Sequence, residues 1–350
     1  MVAIDELIKQ AIEQGASDLH ITVGLPPILR VDGQLTPVQG FKKLIPDEVR
    51  QLVMPIVPEY KVAILESSGD ADFAFVSNNN RLRANVFKQR GSLAMALRLL
   101  ATQMPTLEGL EMPEVITQLA MAPRGLILVT GPTGSGKSTT LAAMINHINH
   151  TRSCNIITIE DPIEYLHRHN TCIINQRELG EDTLGFANAL RASLREDPDI
   201  ILVGEMRDLD TISAAITAAE TGHLVFSTLH TSGASSTIDR IIDVYPPNQQ
   251  QQVRMQLADV LQGVVTQQLL PRADRPGRSA AMEILVRTDA VSNLIREGKT
   301  HQINNFIQTG KQFGMQTMDA CLAQMAKSSQ ITMQEAQMRC VDPKEFNRLL

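Results

Sequence analysis

Residues 131–138 read GPTGSGKS, that is Gly131, Pro132, Thr133, Gly134, Ser135, Gly136, Lys137 and Ser138. Every fixed position of the pattern GxxxxGK[ST] is filled, directly after the apolar run Leu126, Ile127, Leu128, Val129. Glycines let a backbone wrap an anion with its N–H groups, and such a loop feeds the positive end of a helix dipole. Lys137 is then placed to neutralise β and γ phosphates, and the Ser138 hydroxyl to ligate Mg²⁺. Beyond the loop, Leu141, Ala142, Met144, Ile145 and Ile148 recur at helical spacing. Strand, loop and helix in this order predict a bound nucleoside triphosphate.

Composition bounds the rest. A chain of 350 residues exceeds what one core usually holds, so two domains are expected. Hydrophobic residues at 43% and charged residues at 20% fit an ordinary globular chain. No apolar run approaches the ~20 residues needed to span a bilayer. The N-terminal segment, with Asp5 and Glu6, lacks the basic and apolar blocks of a signal peptide, and a cytoplasmic protein is expected. Cys154, Cys172, Cys321 and Cys340 form no CxxC pair and read as reduced core thiols, with neither a zinc site nor a disulfide framework. A net charge of −6 argues against a broad nucleic-acid surface, and 3% aromatic residues without Trp argue against a single-strand stacking channel.

Along the chain, residues 1–101 read as an α+β module. Ile4, Leu7, Ile8, Ala11 and Ile12 mark a helical face that Gly15 stops. A hairpin is expected at Asp32-Gly33, then a strand from Asp70 to Val76, turn residues Asn78, Asn79 and Asn80, and a strand from Arg81 to Phe87. That last strand alternates Leu82, Ala84 and Val86 against Arg81, Arg83 and Asn85, one face core and the other available. Residues 102–124, with Pro105, Pro113 and Pro123, suit a linker with a short helix near Val115–Ala120. Residues 125–287 alternate apolar strands with helices, the signature of a largely parallel sheet covered on both faces. Residues 288–350 read as purely helical. The methionines mostly lie in such apolar stripes and read as core filler.

Hydrolysis needs carboxylates at the neighbouring strand ends. Ile200–Val203 leads through Gly204 into Glu205, where an acid can join the Mg²⁺ shell or orient water. The segment Ile159-Glu160-Asp161-Pro162-Ile163-Glu164 ends the preceding strand with three acids. Spacing alone leaves two readings for it, a solvated acidic loop or carboxylates organised around Mg²⁺ and Lys137. Cations must also meet the transferred phosphoryl oxygens. Arg191 and Arg195 lie four apart on one expected helical face, and Arg83 and Arg98 on two adjacent strands, yet most arginines simply sit on solvated faces. His147, His150, His167 and His169 read as structural. His223 and His230 bracket the strand Leu224–Thr228, and His230 is a candidate γ-phosphate sensor that spacing alone does not decide.

The segments GPTGSGKSTT (131–140), IEDPIE (159–164), LREDPDIILVGEMRD (194–208) and TGHLVFSTLHT (221–231), in this order, resemble the secretion-type hexameric ATPases of type II secretion and type IV pili. The N-terminal GASDLHI (15–21) and the length are similar to the twitching-motility, pilus-retraction members. The resemblance implies an α/β architecture, with a PAS-like N-terminal domain, a RecA-like P-loop domain and C-terminal helices. It further implies a ring of six, ATP with Mg²⁺ between the domains, and work on an inner-membrane pilus platform protein (PilC-like) at the cytoplasmic face of the inner membrane. By the same resemblance Glu164 acts on the water, Glu205 follows the Walker B strand, and His223 and His230 are the histidine-box pair, His223 expected among the nucleotide-binding residues and His230 in catalysis. Arg83, Arg98, Arg191 and Arg195 are the family arginines, and residues 131–139, through Thr139, hold the nucleotide, with Ser138 and Glu205 at the metal. Retraction members carry an AIRNLIRE-like stretch. Here residues 290–297 read AVSNLIRE, with Ser292 in place of the first arginine, which brings an accessory retraction motor into view. Two other classes compete: a RecA-like nucleic-acid translocase, disfavoured by charge and aromatic content, and a nucleotide-gated scaffold, disfavoured by the intact set Lys137, Glu164 and Glu205.

Overall fold

The computed structural model describes residues 4–31, 33–78, 80–100 and 103–350. Asp32 and Asn79 of the two expected turns lie outside them. The chain divides into two compact units, Met1–Gln103 with Glu164–Leu166, and Met104–Ile163 with His167–Leu350.

The first unit is the PAS-like α+β fold. Its elements run α1 (Ile4–Glu13), β1 (Asp18–Ile21), β2 (Ile28–Val31), β3 (Gln34–Pro37), α2 (Pro46–Val53), α3 (Glu59–Ser68), β4 (Asp70–Ser77), β5 (Asn80–Gln89) and β6 (Ser92–Leu99). The strands form one antiparallel sheet in the order β3-β2-β1-β6-β5-β4. Alternation decides which face is covered: Leu82, Ala84 and Val86 of β5 join Leu19, Leu29 and Leu97 and the apolar stripe Ile4, Leu7, Ile8, Ala11 of α1 in one core. The register sets Arg30 opposite Asp18, Asp18 opposite Arg98, and Arg98 opposite Arg83, so one row of the other face alternates cation, anion, cation, cation.

The second unit is the RecA-like fold. It runs α4 (Glu114–Ala120), β7 (Gly125–Thr130), α5 (Lys137–Thr151), β8 (Asn155–Glu160), β9 (Ile173–Glu178), α6 (Phe186–Ser193), β10 (Ile200–Val203), α7 (Leu209–Glu220), β11 (Leu224–Leu229), α8 (Ala234–Asp243), α9 (Gln250–Val260), β12 (Leu261–Pro271) and β13 (Arg278–Val286). The helices α10 (Asp289–Arg296), α11 (Ile303–Thr309), α12 (Met318–Lys327), α13 (Met333–Arg339) and α14 (Pro343–Leu349) complete it. The sheet order is β13-β12-β7-β11-β10-β8-β9, parallel from β12 to β9, with β13 antiparallel at one edge. Strands that are apolar throughout are covered on both faces. Leu126 and Leu128 of β7 face α7, α9 and α10 with Ile201 and Val225, whereas Ile127 and Val129 face α4 and α5 with Leu202 and Phe226. A smaller core joins Leu270 and Ala281 of the β12–β13 pair to Met318, Leu322 and Phe346 of the C-terminal helices.

Strand β7 lies tight against the α9–β12 segment. A Cβ at Gly125 (φ +114°) would sit 2.5 Å from the carbonyl oxygen of Val260, the last residue of α9, and one at Gly131 (φ +137°) would strike the Gln267 carbonyl oxygen of β12. Both positions need glycine for conformation and for space.

Two expectations change. Arg195 does not share a helix with Arg191, because α6 stops at Ser193 and the chain turns through Asp197 (φ 53°) into Pro198, which cannot continue a helix. Cys154 and Cys172 are not isolated thiols but neighbours: their Sγ atoms lie 3.3 Å apart where β8 and β9 begin to pair. Of the four thiols only Cys172 is fully buried.

Candidate functional site

The 131–138 loop leaves the C-terminal end of β7, a central strand, where ligands of open parallel sheets bind. Its lysine folds back over the loop: Lys137 Nζ donates to the carbonyls of Gly131 (3.0 Å) and Pro132 (3.1 Å), and the residue is only 9% exposed. Ser135 Oγ is buried and has no hydrogen-bond partner among the described residues. Gly131 approaches both Gln267 and Ser135 so closely that no side chain fits there. A buried cation, an unsatisfied buried hydroxyl and a backbone packed to glycine tolerance together fit a site for a phosphate chain with its Mg²⁺. Behind the loop, Gln267 is fully buried; its amide donates to Thr140 Oγ1 (2.8 Å), and its Oε1 has no partner among the described residues.

The next carboxylate is held by its backbone. Gly204 N–H donates to Ile159 O (2.7 Å), Met206 N–H to Thr228 O (3.0 Å), and the Thr228 hydroxyl to Gly204 O (2.6 Å), so Glu205 between them is pinned from β8 and β11. Its side chain is 18% exposed, with Arg207 Nε at 2.7 Å and His230 Nε2 at 3.7 Å. Because β10 and β11 are adjacent parallel strands, residues just past their C-terminal ends meet, and this brings Glu205 and His230 together. Sequence reasoning did not single out Arg207, although it stands two residues after Glu205.

His223 goes elsewhere. It precedes β11, whose Leu224 is opposite Gly125, so it sits at the far end of β7 from Gly131, roughly 20 Å away at ~3.3 Å per residue. There its Nδ1 lies 2.9 Å from Ala218 O at the end of α7. Within one chain His223 is therefore not brought to the loop, because the histidine box spans a whole strand.

In the acidic box, Glu160 Oε1 accepts from the Thr158 hydroxyl (2.7 Å) and from Gln176 of β9 (3.0 Å). Glu164 is exposed in the segment between β8 and β9. Arg191 donates to Asn188 Oδ1 (2.8 Å), and Arg195 to Arg191 O (3.4 Å). On the first unit's sheet, Arg98 Nε donates to Asp18 Oδ1 (3.0 Å) and Ser17 Oγ to Asp18 Oδ2 (2.8 Å). Burial raises the Asp18 carboxyl, and these hydrogen bonds outweigh it, leaving Asp18 below the usual carboxylate range. Arg83 and Arg98 line a shallow hollow with Asp18, Asp72, Asn85 and Ala96.

A larger cavity, about 430 Å³, adjoins the first turn of α5 and includes Gly136, Thr139, Thr140, Leu269, Arg272 and Gly277 in its lining. At the other side of the unit, Ser292 is buried on α10 and its hydroxyl donates to Ala258 O of α9 (3.0 Å), while Arg296 donates to Asp259 (2.6 Å). The serine thus fills a small site between two helices.

Among known proteins, the type IV pilus retraction ATPase PilT of Pseudomonas aeruginosa is 47% identical over 344 residues, covering 98% of this chain and 99% of that protein. The type IV pilus ATPase PilU of the same organism is 40% identical over 333 residues, covering 95% and 87%. The crystal structure of the pilus retraction motor PilT with bound ADP superimposes with a TM-score of 0.94 at 50% identity, covering 99% of this chain and 100% of that one. A model of the type II/IV secretion system protein family matches residues 1–339. With that match and a relative 47% identical across nearly its whole length, this chain belongs to the type II/IV secretion system protein family.

Proposed function

We propose that this chain is the ATP-hydrolysing motor that powers type IV pilus retraction and twitching motility. The observation that carries the reading is end-to-end likeness to PilT, 98% of this chain and 99% of that protein, with the GPTGSGKS loop intact. ATP is the substrate. Residues 131–139 bind its phosphates through backbone N–H groups, and Lys137 exchanges its two carbonyl partners for phosphate oxygens. Ser138 and Glu205 hold Mg²⁺, which neutralises phosphate charge when bound. Glu164 polarises the attacking water. His230, beside Glu205, reports the state of the γ-phosphate end. Arg83, Arg98, Arg191 and Arg195 are the cations for the transferred phosphoryl oxygens, from their own chain or a neighbouring copy.

Six copies form the working ring, which acts on a PilC-like inner-membrane platform protein and sits at the cytoplasmic face of the inner membrane through that partner. Among the described residues no helix is long and apolar enough to cross a membrane. Ser292 in place of an arginine is the observation on the side of an accessory motor; the higher identity to PilT than to PilU, 47% against 40%, supports the principal one. Deleting the gene and scoring surface pili and twitching tests the reading. Piliated but immobile cells are expected. Bald cells would overturn it in favour of assembly.

A further inference from the structure

We propose that Glu111 is a positioning residue for the base end of the nucleotide: by binding Arg272 and Arg275 it holds the 106–112 turn against the β12–β13 hairpin and so fixes the wall of the cavity beside α5. The proposal rests on the nucleotide reading above. A chain that binds phosphates on residues 131–138 needs room for base and ribose next to them. The 430 Å³ cavity shares Gly136 and Thr139 with the start of α5, and its volume lies in the range of small-molecule pockets. Its other walls come from two segments far apart in sequence, Leu110 and Met112 on the turn and Arg275 and Gly277 on the hairpin.

The turn is built locally. Gly109 N–H donates to Thr106 Oγ1, Leu110 N–H to Thr106 O, Glu111 N–H to Glu108 O and Met112 N–H to Leu107 O. Glu111 adopts φ +55°, a conformation unfavourable for any residue with a side chain, so something must hold it there. The carboxylate provides that hold. Oε2 accepts from Arg272 Nη1 (2.6 Å) and from Gln330 Nε2 (3.0 Å), and Oε1 accepts from Arg275 Nη2 (2.5 Å). Arg272 is gripped from its other side by the Asp274 fork, Nε to Oδ1 at 2.8 Å and Nη2 to Oδ2 at 2.6 Å, and its side chain is only 8% exposed. One carboxylate therefore joins the turn, the hairpin and the α12–α13 connection.

Single exposed ion pairs contribute little, but a network with forked arginines is the exception. Without the Glu111 charge, Arg272 and Arg275 would repel each other across the hairpin tip with Asp274 alone between them, and the turn would lose its tether. Base and ribose carry no charge, so their binding depends on the shape of these walls. The phosphates, seated on the loop, do not depend on it.

Calorimetric titration of the full chain with ATP, ADP and inorganic tripolyphosphate tests this. Glu111→Gln is expected to weaken ATP and ADP five- to twentyfold and tripolyphosphate less than twofold, with the loss of activity appearing in KM rather than kcat. Glu111→Gly relieves the backbone conformation but lacks the carboxylate, and is expected to show the same nucleotide loss. If the Glu111 variants fold poorly, Arg275→Gln, which removes one exposed donor, should weaken ATP two- to fivefold. Unchanged ATP affinity in these variants, or an equal loss for tripolyphosphate, would overturn the role of Glu111. Wild-type protein that bound neither ATP nor tripolyphosphate would overturn the nucleotide reading itself, and the proposal with it.

Discussion

Glu205 offers one carboxylate oxygen to Arg207 at 2.7 Å and turns the other toward His230 Nε2 at 3.7 Å. The carboxylate we propose for Mg²⁺ is thus already engaged by a cation whose own side chain is 71% exposed. An exposed partner of this kind competes weakly, by up to about 1 kcal/mol. Arg207→Ala should therefore lower the Mg²⁺ concentration giving half-maximal ATPase two- to fivefold. Glu205→Gln, in the same Mg²⁺ titration, should cost at least ~100-fold in turnover. An unmoved midpoint in Arg207→Ala would separate the ion pair from metal binding.

The proposed division of labour between binding and chemistry makes a second contrast. Glu164→Gln should keep ATP affinity within about threefold and abolish turnover, because the amide keeps the shape but cannot take a proton. Arg83→Ala should reduce kcat by about 10³ with little change in affinity, the pattern of a group that meets charge only as it develops. Phosphate release and nucleotide titration, run side by side, decide both. Normal hydrolysis in either variant removes that residue from the site.

Gly131→Ala should fail for reasons of space. Its Cβ would strike the Gln267 carbonyl and lie 2.7 Å from Ser135 Oγ, at a φ of +137°. A destabilisation of at least ~2 kcal/mol in a denaturant melt, with loss of ATP binding, is expected.

Glu283 makes a prediction in pH. Burial pushes its carboxyl above the ordinary range, the Ala234 N–H at the start of α8 (2.7 Å from Oε1) pulls it back, and Asp319 adds to the rise. A carboxyl whose folded pKa is raised is protonated more readily in the folded chain than in the unfolded one. Stability then falls as pH climbs from the ordinary carboxylate range through the folded pKa. Glu283→Gln keeps the acceptor oxygen and removes the ionisation. It should be more stable than wild type at pH 7, and the difference should shrink as pH falls toward the ordinary carboxylate range, read by thermal melts across that range. A constant difference at all pH values would count against the raised pKa.

The parts of the fold written in local pattern were legible. Two-residue alternation in Arg81–Phe87 marks β5 and its covered face, and apolar runs, unbroken in β7 and β10 and interrupted by Thr158 in β8 and by Ser227 and Thr228 in β11, mark strands covered on both sides. Family motifs picked out Glu205 and His230, but their meeting follows from β10 lying beside β11, which no single strand encodes. Likewise Glu111 and Arg272 stand 161 residues apart and meet only because β12 folds in beside β7. His223 and His230 look close together in the histidine box, yet an extended strand of six residues separates them, so only His230 lies at the end where Glu205 stands. Ser292 was legible as a departure from pattern; that it fills a small site under Ala258 was not, since the partner helix is named only by the packing.

Strand β7 is fenced at its start and just past its end, Gly125 against the carbonyl oxygen of Val260, the last residue of α9, and Gly131 against that of Gln267 in β12. Neither glycine can drift by one codon change while the α9–β12 segment keeps its course, because backbone atoms, unlike side chains, have no smaller version to mutate to. Diversification of this protein is thereby channelled away from the seam and into the hairpin tip, the loops and the C-terminal helices.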